Sequence, residues 1–212
     1  MNKKNSWLKK RPLLLSIILV AVIVVGAVIG SQLVSNNAEG EQEIEGPPIL
    51  ELESKKSFDF FWNEANTDKN SPGYGLIRDR APGNPNLASV ASVGFGLTAL
   101  AIGAEREWIT QDEAKERVDG TLDTFLNEAE HVNGVFYHFL NMDDAKRAGL
   151  NEVSIIDTAI LVSGAITAGE YFEGDIKEKA DEIYKRVDWD WYRDENRNMF
   201  YMSYTPEDGF SG

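Results

Sequence analysis

Three carboxylates occupy positions from which they could take part in acid–base chemistry. Asp79 lies between two arginines, Arg78 and Arg80, just before a segment rich in small residues. Glu152 ends a long polar stretch, and Asp157 follows five residues later inside an otherwise apolar run. Because carboxyl groups can give or take a proton in a reaction, these three residues are the candidate catalytic groups of the sequence.

Each of these carboxylates also has a purely structural interpretation. Glu152 precedes a predicted helix, where the partial positive charge of the N-terminus would favour it as a cap. Asp79 could form an ion pair with a neighbouring arginine. A buried Asp157 needs a partner, which backbone N–H groups or Arg78 could supply. The spacing alone favours the cap and the ion pair, so it does not identify a catalytic residue.

Aromatic residues are concentrated in the same polar stretches, and many of them must belong to the core. Trp and Tyr beside carboxylates also stack sugar rings and bind their hydroxyl groups. The two histidines, His131 and His138, are not accompanied by HExxH or CxxC, so we expect no metal site. The sequence has no glycine-rich phosphate loop and no G-x-S-x-G elbow, and we expect no cofactor. The aromatic residues are Tyr74, Phe136, Tyr137, Trp189, Trp191, Tyr192, Phe200, Tyr201 and Tyr204.

The N-terminal segment has the pattern of a membrane anchor. The uncharged run Leu13–Val34 is long enough to cross a bilayer, which takes about 20 apolar residues. Since basic residues stay on the cytoplasmic side, we expect a cytoplasmic segment at 1–11 and a transmembrane signal anchor at 12–34, with the remainder outside the cytoplasm. Cleavage near 35–38 would instead give a secreted protein. The basic residues before this run are Lys3, Lys4, Lys9, Lys10 and Arg11.

The part of the chain beyond the anchor is strongly acidic. All thirty-five Asp and Glu residues lie there, against sixteen of the twenty-one Lys and Arg residues. This balance argues against nucleic acid and anionic polysaccharides as partners, whereas a neutral sugar is unaffected. Residues 35–48 are polar and end in Pro-Pro, as expected of a linker, which leaves 49–212 as one domain. The absence of cysteine excludes disulfides and lipoprotein attachment.

Hydrophobic periodicity predicts five helices in this domain, at about 49–66, 88–104, 110–129, 153–171 and 174–187. The second and fourth are apolar or small on nearly every side, whereas the third and fifth are amphipathic. An all-apolar helix is buried on all sides, and an amphipathic helix covers a surface. The alternation favours an inner ring of helices wrapped by an outer ring, as in a helical toroid. A bundle with two central helices would show the same pattern.

The connectors between these helices are long. Residues 67–87, 130–152 and 188–212 exceed the usual length of about 2–8 residues for helix–helix links. Short strand-like runs occur within them at Val135–Leu140 and Met199–Tyr204. Long loops on a rigid scaffold tend to carry binding and catalytic groups, so we expect the functional site at the end of the inner helices where these connectors gather.

Six runs in this order resemble the bacterial glucoamylase-like domain, which includes the endo-β-1,2-glucanases of glycoside hydrolase family 144. They are FDFFWNEAN, GLIRDRAP, ASVASVGFGLTAL, GVFYHFLNMDDAKR, NEVSIIDTAILVSGA and MFYMSYTPEDGF, and they span about residues 55–210. The resemblance implies an all-α (α/α)6 toroid and a glycoside hydrolase acting on a neutral oligo- or polysaccharide, with β-1,2-glucan as the expected substrate. It further implies that Asp79 and Glu152 are the catalytic carboxylates and that Arg78, Tyr137, His138 and Asp157 bind substrate.

The length of the domain differs from what the resemblance implies. Twelve helices at ordinary helix and loop lengths need roughly 340 residues, about twice the length of 49–212. We therefore expect an incomplete toroid of five or six helices with short β-hairpins, which could be inactive on its own. A carbohydrate-binding surface protein without catalysis, and a module that docks a partner chain, are the alternatives.

Overall fold

The computed structural model describes residues 48–212. The predicted cytoplasmic segment, transmembrane anchor and most of the linker lie outside these residues. The described part contains five α-helices, which we number α1 to α5, and all five lie close to the positions predicted from periodicity. They are α1 Pro48–Asn63, α2 Val90–Glu105, α3 Gln111–Asn127, α4 Ile155–Phe172 and α5 Gly174–Arg186.

The two apolar helices, α2 and α4, pack directly against each other. Glycines make this close approach possible, because a Cβ atom on Gly164 would lie 2.0 Å from the carbonyl oxygen of Gly94. Leu97, Leu100 and Leu161 fill the core around this contact. Helix α4 is long and apolar enough to cross a membrane by length and composition, but half of its residues are buried within the protein. Its buried half belongs to the core of the domain.

The amphipathic helices α3 and α5 cover this pair, as the periodicity predicts. Helix α3 packs on α2 and α5, and α5 packs on α4. A capping box starts α3: Thr110 accepts a hydrogen bond from the backbone N–H of Glu113, whose carboxylate accepts one from the N–H of Thr110. Buried side chains such as Phe125 and Ile183 face inward from these two helices.

The apolar helices α2 and α4 are not buried on every side. Each has one exposed apolar face, as expected of the inner helices of an incomplete toroid. Phe95 and Ile102, two turns apart on α2, are exposed, as are Ile156 and Ile166 on α4. The physical reason is that the other helices of the described region cover only part of the circumference of α2 and of α4.

The connectors form short antiparallel strands at one end of the helices. Strand β1 (Leu87–Ser89) pairs with β4 (Phe139–Asn141). Strand β5 (Val153–Ser154) pairs with β8 (Ser203–Thr205), which also pairs with β9 (Gly209–Ser211). Two further hairpins join β2 (His131–Val132) to β3 (Val135–Phe136) and β6 (Arg193–Asp194) to β7 (Met199–Phe200). The two predicted strand-like runs are thus each divided into two shorter strands. A 3₁₀ turn, Asp190–Tyr192, precedes β6.

Candidate active site

Backbone pairing brings the polar connectors together along one rim. Arg78 forms a β-bridge with Ala88 of β1, and Tyr137 forms one with Val153 of β5. Between them, the N–H of Val90 donates to the carbonyl of His138 over 3.1 Å. The segments that carry Asp79, His138 and Glu152 are therefore linked across neighbouring strands.

Serines, rather than Glu152, cap the helices that begin at this rim. The hydroxyl of Ser89 accepts a hydrogen bond from the N–H of Ser92 at the start of α2. The hydroxyl of Ser154 likewise accepts one from the N–H of Asp157 at the start of α4. The interpretation of Glu152 as the N-terminal cap is therefore wrong. Its carboxylate, 36% exposed, is left available for another role.

The imidazole of His138 lies between two carboxylates. Its Nδ1 is 3.0 Å from Oε1 of Glu152, a hydrogen-bond distance. Its Nε2 is 3.7 Å from Oδ1 of Asp157, which is beyond a hydrogen bond. Asp157 is 10% exposed at its side chain and accepts a short hydrogen bond from the hydroxyl of Ser154. Ser154 and His138, rather than Arg78 or backbone groups alone, are thus the neighbours of this buried acid.

Charge and hydrogen bonds keep Glu152 ionised. Burial by itself would raise the pKa of Glu152, but hydrogen bonds from its own backbone N–H and from His138 lower it, as do the positive charges nearby. The net effect is a pKa below the usual value for a glutamate. An ionised carboxylate can accept a proton or attack as a nucleophile, whereas a general acid must hold its proton at working pH. In this arrangement Glu152 is suited to act as a base or nucleophile.

Arg147 supports the segment before Glu152, and sequence reasoning missed it. Its Nε donates to the carbonyl of Asn151 over 2.6 Å. Its two terminal nitrogens bind the carboxylate of Glu207 over 2.7 and 2.9 Å. The guanidinium also lies over the ring of Tyr137, 4.8 Å from the centroid. Glu207 is sixty residues away in the chain, so no local signal in the sequence could have indicated this pairing.

Arg78 and Asp79 lie on the same rim but are occupied by other partners. Arg78 forms an ion pair with Glu64 at 2.6 Å, and Asp79 forms one with Arg80 at 2.6 Å, as its structural interpretation predicted. Within residues 48–212, no hydrogen bond or ion pair joins Asp79 to Glu152. The structure therefore brings together His138, Glu152 and Asp157, while the predicted catalytic pair is not in contact.

Tyr137 is placed beneath the rim. Only 3% of it is exposed, so its ring supports Arg147 and offers little surface to a ligand. Burial raises the pKa of the Tyr137 hydroxyl, an effect that the nearby charge of Arg147 opposes. Exposed aromatic rings lie beyond β5 instead: Trp191 and Phe210 contact each other there, and Phe210 also stacks on the half-buried Tyr201.

A separate groove of about 500 Å³ lies between α3 and the connector 67–87. Three of its four acidic residues are paired with lysines: Glu116 with Lys69, and Asp119 and Asp123 with Lys179. These are ordinary partly exposed ion pairs, which stabilise a protein only weakly. The groove contains no histidine, so we place the candidate site at Glu152.

The similarity of this chain to known proteins is confined to part of their length. No protein-family model matches the chain. An exo β-1,2-glucooligosaccharide sophorohydrolase (non-reducing end) from Parabacteroides distasonis is 27% identical over 171 residues, which cover 75% of this chain and 23% of that protein. The chain therefore spans about a quarter of the length of this relative.

Solved structures show the same partial match. The β-1,2-glucanase from Parabacteroides distasonis superposes with a TM-score of 0.65 at 26% identity, covering 74% of this chain and 23% of that one. The endo-β-1,2-glucanase from Chitinophaga pinensis, in complex with sophorotriose and glucose, gives a TM-score of 0.63 at 24% identity, covering 74% of this chain and 40% of that one. Three quarters of this chain is thus similar in fold to β-1,2-glucanases, which confirms the family resemblance that the sequence motifs predict.

Proposed function

We propose that this chain contributes one part of the active site of a glycoside hydrolase that acts on β-1,2-glucan. The observation that carries the proposal is the partly exposed, ionised carboxylate of Glu152, which ends a connector at the rim. It lies in a chain whose sequence is similar to that of a β-1,2-glucooligosaccharide hydrolase. In this proposal the five helices are part of an (α/α)6 toroid, with α2 and α4 in the inner ring and α3 and α5 in the outer ring.

Glu152 would serve as the base or nucleophile of the reaction. Glycoside hydrolysis needs a second carboxyl group, about 5–5.5 Å away in retaining enzymes and about 6.5–9.5 Å away in inverting enzymes. Asp79 is the candidate for a substrate contact farther along the rim, where Arg78 would also face the glucan. Asp157, which accepts a hydrogen bond from Ser154, would not serve as this second carboxyl group.

A neutral glucan also suits the charge of the protein. The excess of Asp and Glu over Lys and Arg would repel an anionic polymer but leaves an uncharged one unaffected. Exposed aromatic rings beyond β5, such as Trp191 and Phe210, offer surfaces on which sugar rings can stack.

Release of reducing sugar from linear β-1,2-glucan tests the proposal, with β-1,3- and β-1,4-glucans as controls for linkage. We expect turnover of the β-1,2-linked polymer alone, measured on a full-length relative that carries the same motifs as well as on this chain. Calorimetric binding of the same glucan, measured beside the assay, addresses the alternative of a carbohydrate-binding surface protein. Binding without turnover would favour that alternative. The absence of both binding and turnover would refute the proposal.

We also propose that the protein acts outside the cytoplasm. The support for this is the basic cluster before the uncharged run Leu13–Val34, which would orient the anchor with its N-terminus inside. A polymeric glucan would be reached most directly from that side of the membrane.

A further inference from the structure

We infer that His138 is a positioning residue for Glu152: it holds the carboxylate through Nδ1 and is itself held in place by backbone hydrogen bonds to Glu152 and Val90. This role differs from direct contact with substrate, which the sequence resemblance implies for His138. The inference rests on the proposed function only in treating Glu152 as a reacting group.

The hydrogen bond to Glu152 determines which nitrogen carries a proton. An ionised carboxylate only accepts hydrogen bonds, and the Nδ1 of His138 lies 3.0 Å from Oε1 of Glu152. Nδ1 must therefore be the donor. A ring nitrogen that donates to Glu152 cannot accept a proton from a sugar or a water, so this side of the imidazole serves the carboxylate.

The backbone fixes the ring in this position. The N–H of His138 donates to the carbonyl of Glu152 over 2.8 Å, and the carbonyl of His138 accepts from Val90 at the start of α2. The imidazole also stacks on Phe139, with ring centroids 3.8 Å apart. His138 and Glu152 thus contact each other through both backbone and side chain, which leaves the imidazole little freedom to turn away from the carboxylate.

The far side of the ring faces the N-terminus of α4. Nε2 lies 3.7 Å from Oδ1 of Asp157, and the other oxygen of Asp157 is bound by Ser154, the N-cap of α4. At this distance Asp157 makes no hydrogen bond to the ring and only lines its far side. Ser154, Asp157, His138 and Glu152 therefore lie in series between the helix cap and the exposed carboxylate.

Loss of His138 would leave Glu152 with fewer stabilising contacts. Its own backbone N–H and the charge of Arg147 would still lower the pKa of Glu152, but the side-chain donor would be gone and the carboxylate could rotate. We therefore expect the titration midpoint of Glu152 to rise, and to rise modestly because the side chain is partly exposed and screened by solvent.

Two substitutions separate the two nitrogens of the ring. The amide of His138→Asn can place a donor near the position of Nδ1, whereas the longer amide of His138→Gln reaches the position of Nε2. His138→Phe keeps the stacking on Phe139 and removes both nitrogens. His131→Asn is the matched control, because its amide oxygen can still accept the N–H of Gly134, as Nδ1 of His131 does, at a place outside this series.

The experiment is a carbon-13 NMR titration of the Glu152 carboxyl group in the whole chain and in each variant. We expect His138→Asn and His131→Asn to titrate like the original protein, and His138→Gln and His138→Phe to show the raised midpoint. If all four variants titrate like the original, or if His138→Asn shifts as far as His138→Gln, the inference is overturned. Should the Phe variant fail to fold, the comparison of Asn with Gln still decides.

The pH profile of β-1,2-glucan turnover supplies a second readout. The acidic limb of this profile should shift to higher pH in the Gln variant and keep its position in the Asn variant, because the limb reports ionisation of the base. The NMR titration does not depend on turnover. If the protein is inactive but the variants show the expected titration midpoints, the proposed function is refuted and the pairing of His138 with Glu152 stands. If the protein is active but the Glu152 midpoint is the same in every variant, the pairing is refuted and the proposed function stands.

Discussion

Replacement of Gly164 by alanine should separate the two apolar helices at their closest contact. A Cβ atom added to Gly164 would lie 2.0 Å from the carbonyl oxygen of Gly94 and 2.7 Å from its carbonyl carbon. These are backbone atoms of a packed helix, so no side chain can rotate away to relieve the contact. Helices α2 and α4 would have to move apart by more than 1 Å to reach an ordinary van der Waals distance of at least 3.4 Å.

The cost of this movement can be estimated from two opposing effects. Overpacking of a well-packed core costs about 1–3 kcal/mol and occasionally more, and a clash between two backbones belongs at the upper end. Alanine gains about 1 kcal/mol over glycine in helix propensity. We therefore expect Gly164→Ala to lower the free energy of unfolding by about 2–3 kcal/mol, or roughly 4–12 °C in Tm.

Gly169→Ala is the matched control within the same helix. Its Cβ would lie 3.1 Å from the Cβ of Ala180 on α5, a tight contact that a small shift relieves. Here the gain in helix propensity should balance the cost to within about 1 kcal/mol. Urea denaturation followed by far-UV circular dichroism measures both variants. Equal stability of the Gly164 and Gly169 variants would refute the close packing of α2 on α4.

Three other features give measurable expectations. Thr110→Ala removes the capping box of α3 and should cost about 1 kcal/mol of stability in the same denaturation assay. Burial raises the pKa of Tyr192, whose hydroxyl donates to the carbonyl of Val132 over 2.8 Å. A raised folded-state pKa stabilises the fold below the unfolded pKa of 10.0 and loses that contribution as the pH rises further. The free energy of unfolding should therefore fall above about pH 10, and it should fall less in Tyr192→Phe than in the original protein. Alkaline unfolding curves measure this, and an identical fall in the two proteins would contradict the expectation. Finally, protease added to intact cells should digest residues 35–212 and spare the N-terminus, whereas full protection would contradict the predicted topology.

Much of the fold could be predicted from the sequence because periodicity and capping are local. The five helices follow from the spacing of apolar residues, and the start of α3 follows from Thr110 and Glu113. The exposed faces of α2 and α4 could not be predicted in this way. The spacing of apolar residues does not show whether a side chain such as Phe95 packs against another helix of the described region or is exposed.

The candidate site was only partly predictable, since its decisive contacts are distant in the chain. The sequence identified Glu152, His138 and Asp157 as candidates, and the structure brings these three together. It did not reveal Arg147, whose partner Glu207 lies on another connector. Nor could it show that Ser154 caps α4, because Ser154 and Glu152 both stand where a cap could occur.

The Glu152→Gln variant gives the most direct test of the proposed function. The amide keeps the shape of the side chain but cannot accept a proton as a base or attack as a nucleophile. Turnover of linear β-1,2-glucan should fall by at least about 100-fold, while calorimetric binding of the glucan and the melting temperature stay close to those of the original protein. Glu182→Gln, an exposed ion-pair partner of Arg186 on α5, should change none of the three. Near-normal turnover in a folded Glu152→Gln variant would contradict the central claim that Glu152 is the base or nucleophile of a β-1,2-glucan hydrolase.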